Sequence, residues 1–340
     1  MPAPTATTWD LLEGLVEPAL IVGSGRVLSA NAAARLLLGD GIAGAPLAAA
    51  ITHPAALQVL ERRARDGPGE VELSGFGDPR RHWLMRFSDL ADGARLIRFA
   101  DRSEARAAEQ MRVDFVANAS HELRTPLATL VGYTETLRER AAEIDSATSE
   151  RFLSIVHDEA LRMQRIVEDL ISLSRIEAER FVPPAEAVSL QPLIDQALAG
   201  VSRAAEERGS QLSCACDPGL PPVAADRGQI LQLLDNLLTN ALRYGEPGTP
   251  VSVSARCEGG MVHLAVADRG DGIPAEHLAR VTERFYRVDT SRSRAIGGTG
   301  LGLSIVKHIV ERHRGRLNIE STQGQGTTVH VRLPIAEPLS

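Results

Sequence analysis

Between Met111 and Leu137 an apolar residue returns at every seventh position: Val116, Leu123, Leu130 and Leu137. Ser120, Leu127 and Thr134 fill the places between them. A repeat of this period confines the chain to a helix with one seam turned toward partner helices. His121 lies just off that seam, and Asp114, Asn118 and Thr125 share roughly its outer face. An imidazole there is reachable by another protein. Glu122 follows directly and can steer the ring or accept a ring proton. Pro126 has no backbone N–H, so the carbonyl of Glu122 loses its helical partner and the helix is expected to kink or loosen. A reactive histidine, an adjacent carboxylate and a weak point read as a nucleophile on a movable helix. A surface histidine on a coiled-coil helix is the plain alternative.

The run His121-Glu122-Leu123-Arg124-Thr125-Pro126 resembles the phosphoacceptor box of sensor histidine kinases. The wider stretch from Asp114 to Tyr133 is most similar to the phosphate-regulon sensor branch. The first helix fades near Glu139–Ala142, and Asp145 and Ser146 are candidate caps for the next. Phe152, Ile155, Val156, Met163, Ile166, Leu170 and Leu173 line the apolar stripe of that second helix. Two helices joined by a short turn give an all-α hairpin over residues 101–180. Such a hairpin still exposes an apolar seam, which a second copy would bury in a four-helix bundle, so a homodimer is expected. Phe181-Val182-Pro183-Pro184-Ala185 breaks the helix and marks a linker.

Upstream, residues 9–100 read as an α+β domain. Pro18–Val22 and Val27-Leu28 are strands around the turn Gly23–Arg26, and Asn31 caps an alanine-rich helix ending at Gly39. The runs Glu70–Ser74, His82–Phe87 and Arg95–Phe99 suit an antiparallel sheet. This order resembles a PAS sensor domain; a generic α+β domain without ligand is the alternative. His53 and His82 read as structural or solvent-facing. Asp101-Arg102-Ser103 sits where PAS-linked kinases place a short junction, and the charged helix after it would carry a shift toward His121 or act as a passive linker.

At 340 residues the chain has room for two or three such domains, and 44% hydrophobic content supplies their cores. Aromatics are only 4%, so those cores are expected to be aliphatic. A net charge of −7 gives no argument for direct nucleic-acid binding. Cys214, Cys216 and Cys257 cannot all pair, and Cys214 and Cys216 alternate as core thiols on a strand would, in a reducing compartment. No apolar run is long enough for a transmembrane segment, and no basic residue precedes Arg26 to make a signal peptide, so a cytosolic (cytoplasmic) location is expected.

Residues 188–335 turn to an α/β texture. Helices are expected over Gln191–Arg208, Gly228–Tyr244 (capped by Asp226) and Gly300–Arg314. Strands are expected over Gln211–Cys216, Val251–Ser254, Val262–Val266, Leu317–Glu320 and Thr328–Leu333, with Gly259-Gly260 turning one hairpin. The sum is helices on one face of a mixed sheet. Four pieces of it carry chemistry. Asn236 and Asn240 share a helix face, and neutral amide oxygens suit Mg²⁺; Arg243 can reach phosphate and Tyr244 can pack on a base. Asp268, at a strand end, can accept from an adenine amino group, and Gly270 and Gly272 let backbone approach a ring. Glu283–Arg287 adjoins Asp289, Ser291, Arg292 and Arg294, an arginine-rich stretch that suits a mobile lid over phosphates or a solvated basic loop. Gly297-Gly298-Thr299-Gly300-Leu301-Gly302 runs into a helix whose N-terminus presents N–H groups to phosphate.

In that order the four pieces resemble the N, G1, F and G2 boxes of the GHKL (Bergerat) ATP-binding fold, an α/β sandwich. The resemblance implies Asn236 and Asn240 near Mg²⁺, Asp268 on adenine, Arg287 near the terminal phosphate, and Gly298, Gly300 and Gly302 around the phosphates of ATP. Arg243 stands where many relatives carry lysine, which keeps the charge and changes the geometry. Gln232, one turn before Asn236, stands where hydrolytic relatives carry a water-activating glutamate, and a glutamine is a poor general base. The resemblance thus implies a protein-histidine kinase: Mg-ATP phosphorylates His121, Glu122 manages the ring proton, and a response-regulator receiver domain takes the phosphoryl group. Thr125 would place water for the reverse phosphatase reaction. An ATPase or serine kinase of the anti-sigma type, which should lack the His121 box, and a non-catalytic scaffold are the rivals.

Overall fold

Short apolar runs bounded by glycine become strands through the first hundred residues. The computed structural model describes residues 6–62, 69–90, 93–140, 143–288 and 298–336. β1 (Ala19–Gly23) and β2 (Arg26–Ala30) pair antiparallel around Ser24 and Gly25, both at positive φ, as a two-residue hairpin turn demands. β3 (Gly69–Ser74), β4 (His82–Asp89) and β5 (Arg95–Asp101) complete a five-stranded antiparallel sheet in the order β2-β1-β5-β4-β3. Helices α1 (Ala6–Glu13), α2 (Ala32–Leu38), α3 (Leu47–Ala50) and α4 (Pro54–Arg62) accompany it. Asn31 does more than cap α2. Its Oδ1 accepts from Ala34 N and Ala19 N, both at 2.9 Å, while its Nδ2 donates to the carbonyls of Leu15 and Glu17. One buried amide thereby ties helix to sheet. Leu20, Leu73, Met85, Ile97 and Phe99 are fully buried, each such burial contributing roughly 1.5–3 kcal/mol.

α5 (Ser103–Glu139) begins where Asp101 Oδ1 accepts from Ser103 N at 2.9 Å, and the hydrogen bonds from Ser103 hold the Asp101 carboxyl below its ordinary value. The helix is not interrupted at Pro126, which is buried. α6 (Ser146–Ala178) starts at Asp145, whose carboxylate accepts from Thr148 N at 2.8 Å. The two helices meet through Tyr133 and Phe152, their rings 4.9 Å apart. Of the seven-residue repeat, Leu123, Leu130 and Leu137 are partly buried, whereas Val116 is exposed, as are Leu127 and Val131. Leu153, Leu161, Val167 and Ile171 of α6 are exposed too. A single hairpin leaves apolar surface uncovered, as the repeat predicted.

In the C-terminal part, β7 (Leu212–Cys216), β9 (Val251–Glu258), β10 (Met261–Ala267), β11 (Arg316–Thr322) and β12 (Gly326–Pro334) form a mixed sheet ordered β11-β12-β10-β9-β7. β7 joins β9 in parallel and the other pairs are antiparallel. β6 (Ala187–Val188) and β8 (Val223–Ala224) make a small separate sheet that the sequence did not announce. α7 (Leu190–Glu207), α8 (Arg227–Tyr244) and α10 (Gly302–Arg312) cover the large sheet, with the one-turn α9 (Ala275–Leu278) at its edge. Ile194, Leu234, Val253, Leu264, Ile305 and Val331 meet in its core.

Leu173 and Ile176 of α6 enter that same core. The chain consequently divides into Met1–Asp114 and Phe115–Ser340, so the hairpin and the α/β layer, read separately from sequence, form one packed unit. The thiol expectation is corrected. On β7, the open edge of the sheet, Cys214 is exposed and Cys216 is only partly covered; Cys257, near the end of β9, is exposed as well. The sulfurs of Cys214 and Cys216 lie 3.4 Å apart, a thiol–thiol hydrogen bond and not a disulfide. Among the described residues no helix is long and apolar enough to cross a membrane.

Candidate active site

α8 is amphipathic for a reason the site uses. Ile230, Leu233, Leu234, Leu237, Leu238, Ala241 and Leu242 are buried against the sheet and α7, which leaves Gln232, Asn236, Asn240 and Arg243 to line a cavity of about 990 Å³. Asp226 caps the helix by accepting from Gln229 N at 3.0 Å. Asn236 Nδ2 donates to the carbonyl of Gln232 at 3.0 Å, which leaves its Oδ1 directed toward Gly302. A Cβ on Gly302 would lie 2.8 Å from that oxygen and 3.5 Å from Asn240 Nδ2. The two asparagines thus converge on the N-terminus of α10, where only glycine leaves room. Tyr244, at the end of α8, borders the same space and is 44% exposed. Arg243 lines the cavity, and burial lowers its guanidinium below its ordinary value.

Asp268 follows β10. Its Oδ1 accepts from Thr327 N at 3.3 Å, and burial raises its carboxyl to about 6, partly offset by that backbone bond. The carboxylate lines the cavity with acceptor capacity to spare. Gly270 lets the next turn close on the helix end, since a Cβ there would sit 2.1 Å from the Tyr244 carbonyl oxygen. Gly272, Gly298 and Gly300 also line the cavity. Leu301 does not: its side chain is fully buried in the core, and only its backbone belongs to the turn. Asp289, Ser291, Arg292, Arg294 and Gly297 lie outside the described residues, so the expected lid is not part of this geometry.

His121 is exposed on α5. Thr125 is exposed as well, its Oγ1 donating to the carbonyl of His121 at 3.3 Å. Glu122 has two partners that the sequence did not announce. Its carboxylate accepts from Arg162 Nη2 at 3.3 Å and lies 3.5 Å from Arg287 Nη2, so it joins two guanidiniums. Arg287 is nearly buried, with its side chain 5% exposed; burial lowers its guanidinium, and Glu122 opposes that. Beside it, Phe285 stacks obliquely on Phe115 at 5.9 Å, Arg284 lies over the Phe115 ring and pairs with Glu177, and Phe285 N donates to the carbonyl of Gly300 at 2.8 Å. From α6, Ser172 Oγ donates to Gln232 Oε1 at 2.7 Å, and Asp169 Oδ2 accepts from Thr299 Oγ1 at 3.0 Å. The segment expected near the phosphates is therefore docked on the hairpin.

The residues present suit a nucleotide with its divalent cation. The cavity is large enough for a nucleoside triphosphate, Asn236 Oδ1 is directed at a helix N-terminus, and the buried Nη2 of Arg287 meets Glu122 as an ion pair at 3.5 Å with hydrogen-bonding capacity to spare. Among the described residues no group of three His, Cys, Asp or Glu side chains could hold a metal, so a cation would rest on amide oxygen and phosphate.

Two family models match this chain. The His Kinase A (phospho-acceptor) domain covers residues 111–179, and the histidine kinase-, DNA gyrase B- and HSP90-like ATPase covers residues 225–337. The phosphate regulon sensor protein PhoR of Pseudomonas aeruginosa is 33% identical over 303 residues, 88% of this chain and 67% of that protein. The chain belongs to the sensor histidine kinases. The sensor-like histidine kinase SenX3 of Mycolicibacterium smegmatis is 40% identical over 235 residues, 69% of this chain and 60% of that protein. Against WalK of Bacillus subtilis the identity is 37%, over 70% of this chain and 39% of the relative, so the chain spans only part of the length of such kinases. A crystal structure of the histidine kinase ThkA in complex with the response regulator protein TrrA shares the fold at TM-score 0.54, with 21% identity over 96% of this chain and 98% of that one. The all-α hairpin and the GHKL α/β layer are those of the family.

Sequence reading missed Arg162 and Asp169. A signal was present: Ile155, Arg162, Asp169 and Ile176 follow one another at seven-residue spacing, which sets two charges within an apolar seam.

Proposed function

We propose that this histidine kinase autophosphorylates His121 from Mg-ATP and passes the phosphoryl group to an aspartate of a response-regulator receiver domain. The carrying observation is the convergence of Asn236, Asn240, Arg243, Asp268 and the glycine turn on one cavity, in the same packed unit as an exposed imidazole. Asp268 reads the adenine amino group, the turn before α10 and Arg243 receive phosphates, and Asn236 with Asn240 hold Mg²⁺. The bound cation supplies charge neutralisation at the phosphates. A ring nitrogen of His121 attacks the γ-phosphorus, the bond to the β-bridging oxygen breaks, ADP leaves, and Glu122 takes the ring proton. Because Glu122 is held by Arg162 and Arg287, transfer requires that Arg287 leave Glu122 for the terminal phosphate. Thr125 orients water for dephosphorylation of the regulator.

We further propose that residues 9–100 form a PAS-like sensor domain, supported by the strand order and by the capped helix after β2. Residues 101–180 serve as the dimerisation and phosphotransfer hairpin, and residues 188–335 as the ATP-binding domain. The exposed Val116, Leu127, Val131 and Leu161 favour a second copy of the hairpin. Similarity to PhoR supports an input tied to phosphate supply. A hydrolytic ATPase is disfavoured, since Gln232 is no base and its amide is taken by Ser172. The test is incubation of the full chain with γ-labelled Mg-ATP. The expected product is protein-bound label that is acid-labile and base-stable; acid-stable label, or free phosphate without labelled protein, overturns the reading.

A further inference from the structure

The hairpin supplies a wall of the nucleotide cavity that no motif announces. Arg165, Glu168 and Asp169 of α6 line it, facing Asn240, Arg243 and the glycine turn. Asp169 Oδ2 accepts from Thr299 Oγ1 at 3.0 Å, and Thr299 Oγ1 accepts from the backbone N–H of Leu301 at 3.2 Å. One hydroxyl thus fastens the turn to α6 at the point where α10 begins. The same carboxylate borders the space that the triphosphate would fill. Burial raises the Asp169 carboxyl above its ordinary value, with Glu168 adding to the rise and Thr299, Arg165 and Arg243 opposing it. Introducing phosphate charge nearby can only add to the cost of keeping that carboxylate ionised.

Resting on the nucleotide reading above, we propose that Asp169 is a positioning residue of the ATP site: its hydrogen bond sets the glycine turn, and its charge opposes the triphosphate. The hairpin thereby tunes nucleotide affinity from α6, outside the α/β layer. Geometry and charge separate by substitution. Asp169→Asn keeps an acceptor for Thr299 and removes the charge, whereas Asp169→Ala removes both.

The experiment is steady-state autophosphorylation and Mg-ATP titration on the full chain. Asp169→Asn should lower KM for ATP roughly fivefold, as loss of a like charge in a partly desolvated site predicts, with the effect on KM rather than kcat. Asp169→Ala should bind ATP less tightly than Asp169→Asn, because the turn is then unfastened. In a Thr299→Val background the two substitutions should become equal. Wild-type KM in Asp169→Asn, or equal loss of kcat and melting temperature in both variants as a merely structural role requires, overturns the assignment. Those outcomes leave the nucleotide reading standing if the wild type binds Mg-ATP; a wild type that binds none removes both.

Discussion

The two halves of the proposed active site are built in opposite ways. On α5, His121 and Thr125 stand in the open, and the Thr125 hydroxyl bonds to its own helix. In the cavity, groups from α8, the end of β10 and the turn before α10 are brought together from separate segments and partly withdrawn from water. On the proposed function, a nucleophile visited by a nucleotide domain and a regulator needs access more than enclosure. A site that holds one small ligand needs convergence, desolvation and glycines where backbone must come close. Glu122 belongs to both halves, since Arg162 ties it to α6 and Arg287 ties it to the α/β layer.

The contrast is sharpest where substitutions should hurt nucleotide binding without touching the hairpin. Asp268→Asn should weaken Mg-ATP binding by about 1.5–3 kcal/mol, the range for a lost charge-assisted hydrogen bond, as read by titration. Because burial raises Asp268 to about 6, its ionised acceptor is lost as pH falls through that value. Wild-type affinity should therefore fall on acidification, and the Asn variant should lose that dependence. For folding the sign is opposite: a raised carboxyl favours the native state below its unfolded value, and that contribution is lost as pH rises through about 6. Gly302→Ala places a Cβ 2.8 Å from Asn236 Oδ1. It should cost about 1–3 kcal/mol of binding by overpacking, with hairpin helicity unchanged by circular dichroism. Wild-type affinity in either variant would show that these groups do not converge on a bound nucleotide.

Hairpin substitutions should act the other way. Arg162→Met removes a buried guanidinium but leaves Glu122 its second partner, so urea unfolding should report a loss of about 1 kcal/mol, the net worth of a hydrogen bond, with nucleotide affinity intact. A larger loss of affinity than of stability would make Arg162 part of the nucleotide site. Thr125→Ala should shift stability by no more than about 0.5 kcal/mol, as an exposed position allows. It should keep autophosphorylation and transfer yet lose most regulator phosphatase activity, followed as decay of purified phospho-regulator with ADP present. Decay at the wild-type rate would leave Thr125 a helix residue only.

What could be read from the sequence follows the same division. The His121 helix, the Asn31 and Asp145 caps and the Gly259-Gly260 turn were legible because each is set by residues a few positions apart. The order of the four nucleotide pieces was legible because each carries its own local geometry. Arg162 and Asp169 escaped because periodicity reports that a helix has an apolar face, and not which element a charge within that face will meet. Sequence places Glu122 beside His121, whereas its partners lie 40 residues away on α6 and still further along the chain. The cysteines were misplaced because alternation shows which side of a strand a residue takes, while exposure depends on whether that strand is an edge.

On the proposed function, one residue receives the phosphoryl group and the cavity binds nucleotide independently of it. His121→Gln tests this most directly, with label transfer from γ-labelled Mg-ATP and nucleotide affinity measured on the same preparation. Acid-labile label should disappear while Mg-ATP affinity stays at the wild-type value. Acid-labile label at the wild-type level would contradict it.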